Sequence, residues 1–195
     1  MDKTSQYISD YVDLEMRTLE RFDKQAAAEV LGAILRAYEA EGTIYVCGNG
    51  GSASTASHMA NDFNKGISEY VQKKFRFYSL TDNVATMLSI ANDISYDEMF
   101  RFQLQGRLRK EDLVIGISGS GNSMNVVNAL TYAREQGVQT VAVCGYSGGR
   151  IKEIADVAFH VDINNMQIVE DVHLILNHLL MNVLQRLWNM PGHNM

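Results

Sequence analysis

The chain has 195 residues, 46% hydrophobic and 21% charged, and a formal charge of −6. That length buries one sizeable core without disulfide staples, and the ordinary composition excludes wholesale disorder. The negative balance weighs against nucleic acid or an acidic membrane surface as principal partner, and no apolar run approaches the roughly 20 residues that span a bilayer.

The opening residues, Met1 to Tyr7, carry no apolar stretch of a signal peptide. Cys47 and Cys144 are the only cysteines, and each closes an apolar run. Both read as small buried thiols rather than redox or metal groups, and a cytoplasmic location is expected. From Ser5 to Phe22, Tyr7, Tyr11, Leu14 and Leu19 recur at near-helical spacing. A second amphipathic helix carries Ala26, Val30, Leu31, Ile34, Leu35 and Tyr38 and closes at Gly42. These two helices, about residues 4–40, are expected to cover the core or to meet another copy of the chain.

The pattern then changes to short β-branched and apolar runs: Thr43 to Cys47, Arg76 to Leu80, Leu113 to Ile117, Thr140 to Val143 and Val157 to Val161. Helical patterns separate them, at Ser54 to Phe63, Asn83 to Ile90, Asp97 to Leu108, Met124 to Glu135 and Ile151 to Ala155, and a final helix runs from Gln167 to Leu187. Strand alternating with helix predicts an α/β fold: three layers, α/β/α, around a five-stranded parallel sheet. No linker or repeat interrupts residues 1–195, so one domain is expected.

Two turns join a strand to a helix with unusual composition. The first is Gly48-Asn49-Gly50-Gly51-Ser52-Ala53-Ser54. Glycine lets the backbone turn sharply and approach an anion, and the free N–H groups of the following helix favour negative charge. The second is Ser118-Gly119-Ser120-Gly121-Asn122-Ser123, a dense set of hydroxyl and N–H donors suited to a phosphate monoester. Each reads either as a phosphate cradle or as a plain connection, with Ser123 as a helix N-cap. Neither has the lysine of a nucleotide-binding loop or the spacing of a dinucleotide fingerprint, which favours a small phosphate.

Two helices carry titratable groups. His58 and Asp62 are four apart and share a helix face, which fits either a solvated pair or the base and polarising group of a proton transfer. On the last helix, Glu170 and His173 have the i, i+3 spacing of carboxylate–histidine metal pairs, equally explained as ordinary helix-terminus acidity. His178, among leucines, has the setting of a core histidine.

Gly48-Asn49-Gly50-Gly51-Ser52, then Asn92-Asp93, then Ser118 to Ser123, in this order and spacing, resemble the sugar-isomerase (SIS) domain, and within it the phosphoheptose isomerase branch. The resemblance covers nearly the whole chain. It implies a flavodoxin-like sheet, a homo-oligomer, usually a tetramer, with sites shared between subunits, and interconversion of sedoheptulose 7-phosphate with an aldoheptose 7-phosphate. By that likeness Ser52, Ser118, Ser120 and Ser123, with the backbone of Gly50, Gly51 and Gly119, hold the phosphate, Asn49, Asn92 and Asp93 line the sugar pocket, and Glu170 counts among the substrate-binding residues. It further implies zinc held by His58, Asp62, Glu170 and His178, with Asp62 as base and His178 as acid. Asp62 stands where the family has Glu, and Glu170 where it has Gln. Glu170 and His178 lie about 12 Å apart along a straight helix, so either one of them comes from another subunit or only part of the set binds metal. The same resemblance admits a different sugar substrate, and a non-catalytic phosphosugar binder, regulatory or associated with a replication initiator.

Overall fold

The short apolar runs pair into one parallel sheet. In the computed structural model, which describes residues 2–191, the strands are β1 (Ile44–Cys47), β2 (Phe77–Ser79), β3 (Leu113–Ser118), β4 (Gln139–Gly145) and β5 (Val157–Val161), ordered β2-β1-β3-β4-β5. This is the flavodoxin-like order. The ends of the expected 1–195 span lie outside the described residues.

Both sheet faces are covered, which explains why the strands read as apolar runs rather than as an alternation. Successive side chains still point to opposite faces. Ile44, Val46, Ile115, Ile117, Val141 and Val143 feed one core, and Tyr45, Cys47, Val114, Ala142 and Cys144 the other. Over the first core lie α1 (Lys3–Glu20), α2 (Lys24–Glu39), α3 (Gly51–Asn61) and α8 (Met166–Leu187); over the second lie α4 (Val84–Asp93), α5 (Arg101–Leu104), α6 (Met124–Glu135) and α7 (Gly149–Ile154). Burial pushes the thiols of Cys47 and Cys144 each up to about 12, so both are inert at neutral pH.

Four helices start on a side-chain cap. Asp2, Asp23, Asn83 and Asn165 accept from the backbone N–H of Ser5, Ala26, Thr86 and Ile168.

Three segments depart from the sequence pattern. The helix expected over Ser54 to Phe63 begins at Gly51 and, after Asn61, widens into a π turn over Asp62–Ile67. The helix expected over Asp97 to Leu108 is instead a 3₁₀ turn, Tyr96–Glu98, followed by the single turn of α5. There Phe100 and Leu104 are drawn into the second core and Gln103 Nε2 donates to the carbonyls of Leu80 and Met99, both at 3.0 Å, before Gly106 turns away at φ 69°. The third is α1, which covers little of the core. None of its residues is fully buried; Leu14 and Leu19 touch the first core, while Tyr7, Ile8, Val12 and Met16 are 50–67% exposed. Among the described residues, no helix is long and apolar enough to cross a membrane.

Candidate active site

In the order 2-1-3-4-5 the winding reverses between β1 and β3, which leaves a crevice at the carboxyl ends of these strands. Both glycine–serine turns open onto it. Asn49, Ser52, Ser118, Gly119, Ser120, Ser123, Met166 and Glu170 line a cleft of about 110 Å³. A wider hollow of about 300 Å³ between α1 and β5 is lined by Arg17, Arg21 and Phe159, but neither turn reaches it.

The helices leaving the two turns start without the side-chain cap that α1, α2, α4 and α8 have. Gly50, at φ 53°, is the N-cap of α3 and offers no side chain. Ser123 occupies the N-cap position of α6, yet its hydroxyl makes no capping bond; it accepts from Ser118 Oγ at 3.2 Å inside the second turn. The first N–H groups of α3 and α6 therefore have no side-chain cap, and the serines stay with the cleft rather than serving the helix. The second turn is braced from behind. Gly121, at φ 68°, lies so close to Gly148 that a Cβ there would strike the Gly148 carbonyl oxygen, and the Gly121 carbonyl accepts from Ile151 N at 3.0 Å. Gly119 also leaves no room for a Cβ, which would meet the Met166 side chain.

Asn49 is fixed by a residue that sequence reasoning missed. Asn49 and Asn125 exchange two amide hydrogen bonds, each 2.9 Å, and Tyr96 Oη donates to Asn49 Oδ1 at 2.9 Å. Asn125 is fully buried in the first turn of α6, so it ties the first loop to the helix that leaves the second. An amide on an apolar helical stripe was the available signal, because buried polar groups need partners.

The titratable residues sort into two places. His58 and Asp62 from α3 and the π turn meet His178 from α8. Asp62 Oδ2 lies 3.3 Å from His58 Nε2 and 3.9 Å from His178 Nε2, and the two imidazole nitrogens are 3.3 Å apart. The switch to π geometry falls at Asp62 itself, a local widening of the kind often found at functional sites. Asp62 is buried, while the side chains of His58 and His178 are 42% and 53% exposed, so the cluster opens to solvent on the imidazole side. Asn177, also unforeseen and fully buried, donates to Asp62 Oδ2 at 2.7 Å.

Glu170 does not join this cluster. It sits at the other end of the helical segment, in the loop cleft, with its carboxylate against Gly51, where a Cβ would collide with it. A carboxylate at that point faces the positive start of α3. His173 does not pair with Glu170. It is 1% exposed, its ring nitrogens have no hydrogen-bond partner within bonding geometry, and burial, opposed by the nearby Cys144 backbone and aided to a lesser degree by His160, lowers it to about 4. The core histidine of α8 is thus His173, and His178 is the exposed one. Asn92 and Asp93 fall in the last turn of α4, bonded to each other at 2.7 Å, exposed, and outside the cleft lining.

A parallel sheet of this order with donor-rich turns at its switch point defines a class, and residues 6–145 match the family model of the SIS domain. The chain belongs to the SIS-domain family. Within it, the chain is 35% identical over 153 residues to the phosphoheptose isomerase of Helicobacter pylori strain P12, covering 78% of this chain and 79% of that one. It is 34% identical over 172 residues to that of Chlorobium phaeobacteroides, covering 87% and 76%. The structure of phosphoheptose isomerase GmhA from Neisseria gonorrhoeae superposes with a TM-score of 0.87 at 26% identity, over 94% of this chain and 100% of that one. The chain is a member of the phosphoheptose isomerase branch.

Proposed function

We propose that the protein is an aldose–ketose isomerase that converts sedoheptulose 7-phosphate to the aldoheptose 7-phosphate. The observation that carries this reading is the meeting of His58, Asp62 and His178 two turns along the helix that begins at the phosphate-type cleft. His58 lies about 10 Å beyond Gly51 along the axis of α3, the reach of a seven-carbon chain from its phosphorus to the carbons that exchange the carbonyl. The phosphate takes the uncapped N–H groups of α3 and α6 with the hydroxyls of Ser52, Ser118, Ser120 and Ser123. Glu170 would repel a dianion at close range, so its carboxylate accepts from sugar hydroxyls, beside Asn49.

Asp62 removes the proton from C1 of the ketose while His178 donates to the C2 carbonyl oxygen, giving an enediol. Return of a proton to C2 and loss of the O1 proton yield the aldehyde, so no atom or electron enters or leaves. The cluster also fits zinc. Two imidazole nitrogens and one carboxylate oxygen form a catalytic donor set, and ligands on a tetrahedral ion at about 2.0–2.1 Å stand roughly 3.3 Å apart; His58 lies 3.3 Å from both Asp62 Oδ2 and His178, and the third spacing, Asp62 to His178, is wider at 3.9 Å. His58, Asp62 Oδ2 and His178 would hold the metal, which when bound polarises the carbonyl.

Copies of the chain are assigned to the two exposed apolar faces, Tyr7, Ile8, Val12 and Met16 on α1 and Val84, Leu88 and Ile94 on α4. Packing on α4 brings Asn92 and Asp93 of one copy towards the cleft of another, as a tetramer with shared sites requires. The test of the catalytic reading is Asp62→Asn assayed by NMR with sedoheptulose 7-phosphate. Turnover falls at least 100-fold while phosphosugar binding survives; unchanged turnover overturns the assignment, and tight binding by an inactive native protein returns the non-catalytic reading.

A further inference from the structure

We infer that Asn177 is a positioning residue for this reaction, holding the Asp62 carboxylate at the reacting end of the cleft. The inference rests on the reading of Asp62 as base, and goes beyond it.

Asp62 has a short side chain that leaves the backbone at the point where α3 opens into the π turn. A helix one residue wider per turn displaces the following backbone, and within the helix the carboxylate has only the longer contacts to His58, 3.3 Å from Oδ2, and to Asn61. Its Oδ1 receives only a long contact from Asn61 Nδ2 at 3.5 Å. Its Oδ2 is instead anchored across the helix interface, by Asn177 Nδ2 at 2.7 Å, the shortest contact Asp62 makes. The same oxygen faces both imidazoles of the cluster. Asn177 thus decides where that oxygen stands relative to His58 and His178.

The placement of Asn177 argues that this contact is the reason for the amide. Asn177 is fully buried on α8, flanked by Leu176 and Leu180, and its Oδ1 has no partner. A leucine there would remove the unpartnered oxygen and extend the apolar stripe, so packing alone favours the hydrocarbon. What the amide alone provides is one N–H aimed at Asp62 Oδ2. A longer carboxylate at 62 could reach the same region without that anchor.

Steady-state kinetics with sedoheptulose 7-phosphate, urea unfolding and crystallography of Asn177→Leu, Asn177→Ala and the double variant Asn177→Leu/Asp62→Glu test this. In both single variants kcat falls 30-fold or more with KM within threefold, Asn177→Leu stays folded under assay conditions although it unfolds at a somewhat lower urea concentration, having taken a donor from a buried carboxylate, and its crystal structure shows the Asp62 carboxylate turned away from the imidazoles. The double variant regains at least tenfold in kcat, which a merely structural tie between α8 and the π turn would not allow. Native-like kcat in Asn177→Leu, an unmoved Asp62 in its crystal structure, or a double variant no better than the single one overturns the inference. Asp62→Asn in the same assay separates the two readings. If it is inactive while Asn177→Leu is not, only the role of Asn177 fails; if it is active, the role of Asp62 fails first.

Discussion

His173 gives the protein a measurable sensitivity to acid that has nothing to do with its site. In the folded chain the imidazole is sealed between α8 and β4 and held at about 4, against the ordinary histidine value of 6.5. Below 6.5 the unfolded chain takes up a proton that the folded chain refuses, so stability is complete above that value and declines as pH falls towards 4. With those two values, the loss is about 2 kcal/mol by pH 5 and about 3 kcal/mol by pH 4. Leucine at 173 abolishes this component, and because it also removes two buried nitrogens that lack hydrogen bonds, it leaves the protein at least as stable at neutral pH. Urea unfolding of the native chain and His173→Leu at pH 7.5, 6 and 5, at one protein concentration, reads the effect as a difference between variants, so carboxylates that titrate in both cancel. The gap should widen by about 2 kcal/mol between pH 7.5 and pH 5. Parallel curves for the two proteins would show that the ring is hydrated or paired in solution, and the reasoning would fail.

Ser123→Ala should raise KM for the phosphosugar about tenfold or more, as loss of one hydrogen bond to a charged oxygen implies, while leaving thermal stability almost unchanged because its hydroxyl caps nothing; a fall in stability with unchanged KM refutes the loop assignment. Glu170→Gln removes a negative charge from the cleft lining and should lower KM several-fold, read from initial rates at low substrate. Gly121→Ala places a methyl against the Gly148 carbonyl at a positive φ and should cost about 2–4 kcal/mol in urea unfolding. Ile8→Asp with Val12→Asp on the exposed face of α1 should shift sedimentation from the proposed tetramer to a smaller species, and an unchanged sedimentation coefficient removes α1 from the proposed interface.

Much of the fold was legible because its determinants are local. The five runs between Thr43 and Val161 became five strands, differing by a residue or two at their ends, since buried strands demand apolar and β-branched residues regardless of what covers them. The Asp97 to Leu108 segment was misread because its apolar residues suit a helix and a buried irregular turn equally well. There the pull of Phe100 and Leu104 into the core outweighs helix propensity. In the site, the two loops were visible as composition. Asn125 and Asn177 were not singled out, since a lone amide in a helix gives no direction until its partner is placed.

The sequence by itself determined the parallel α/β sandwich and the two donor-rich turns at the ends of β1 and β3, because periodicity and glycine–serine clustering are properties of neighbouring residues. Only the tertiary structure decided that Asp62 meets His178 and Asn177 while Glu170 turns to the loop cleft and His173 to the core. All four of the α8 residues lie within nine positions of one another, and the pattern of a helix fixes which of them share a face but not what each face meets. That depends on how α8 is rotated and docked against α3 and β4, and on the π turn that carries Asp62 to it.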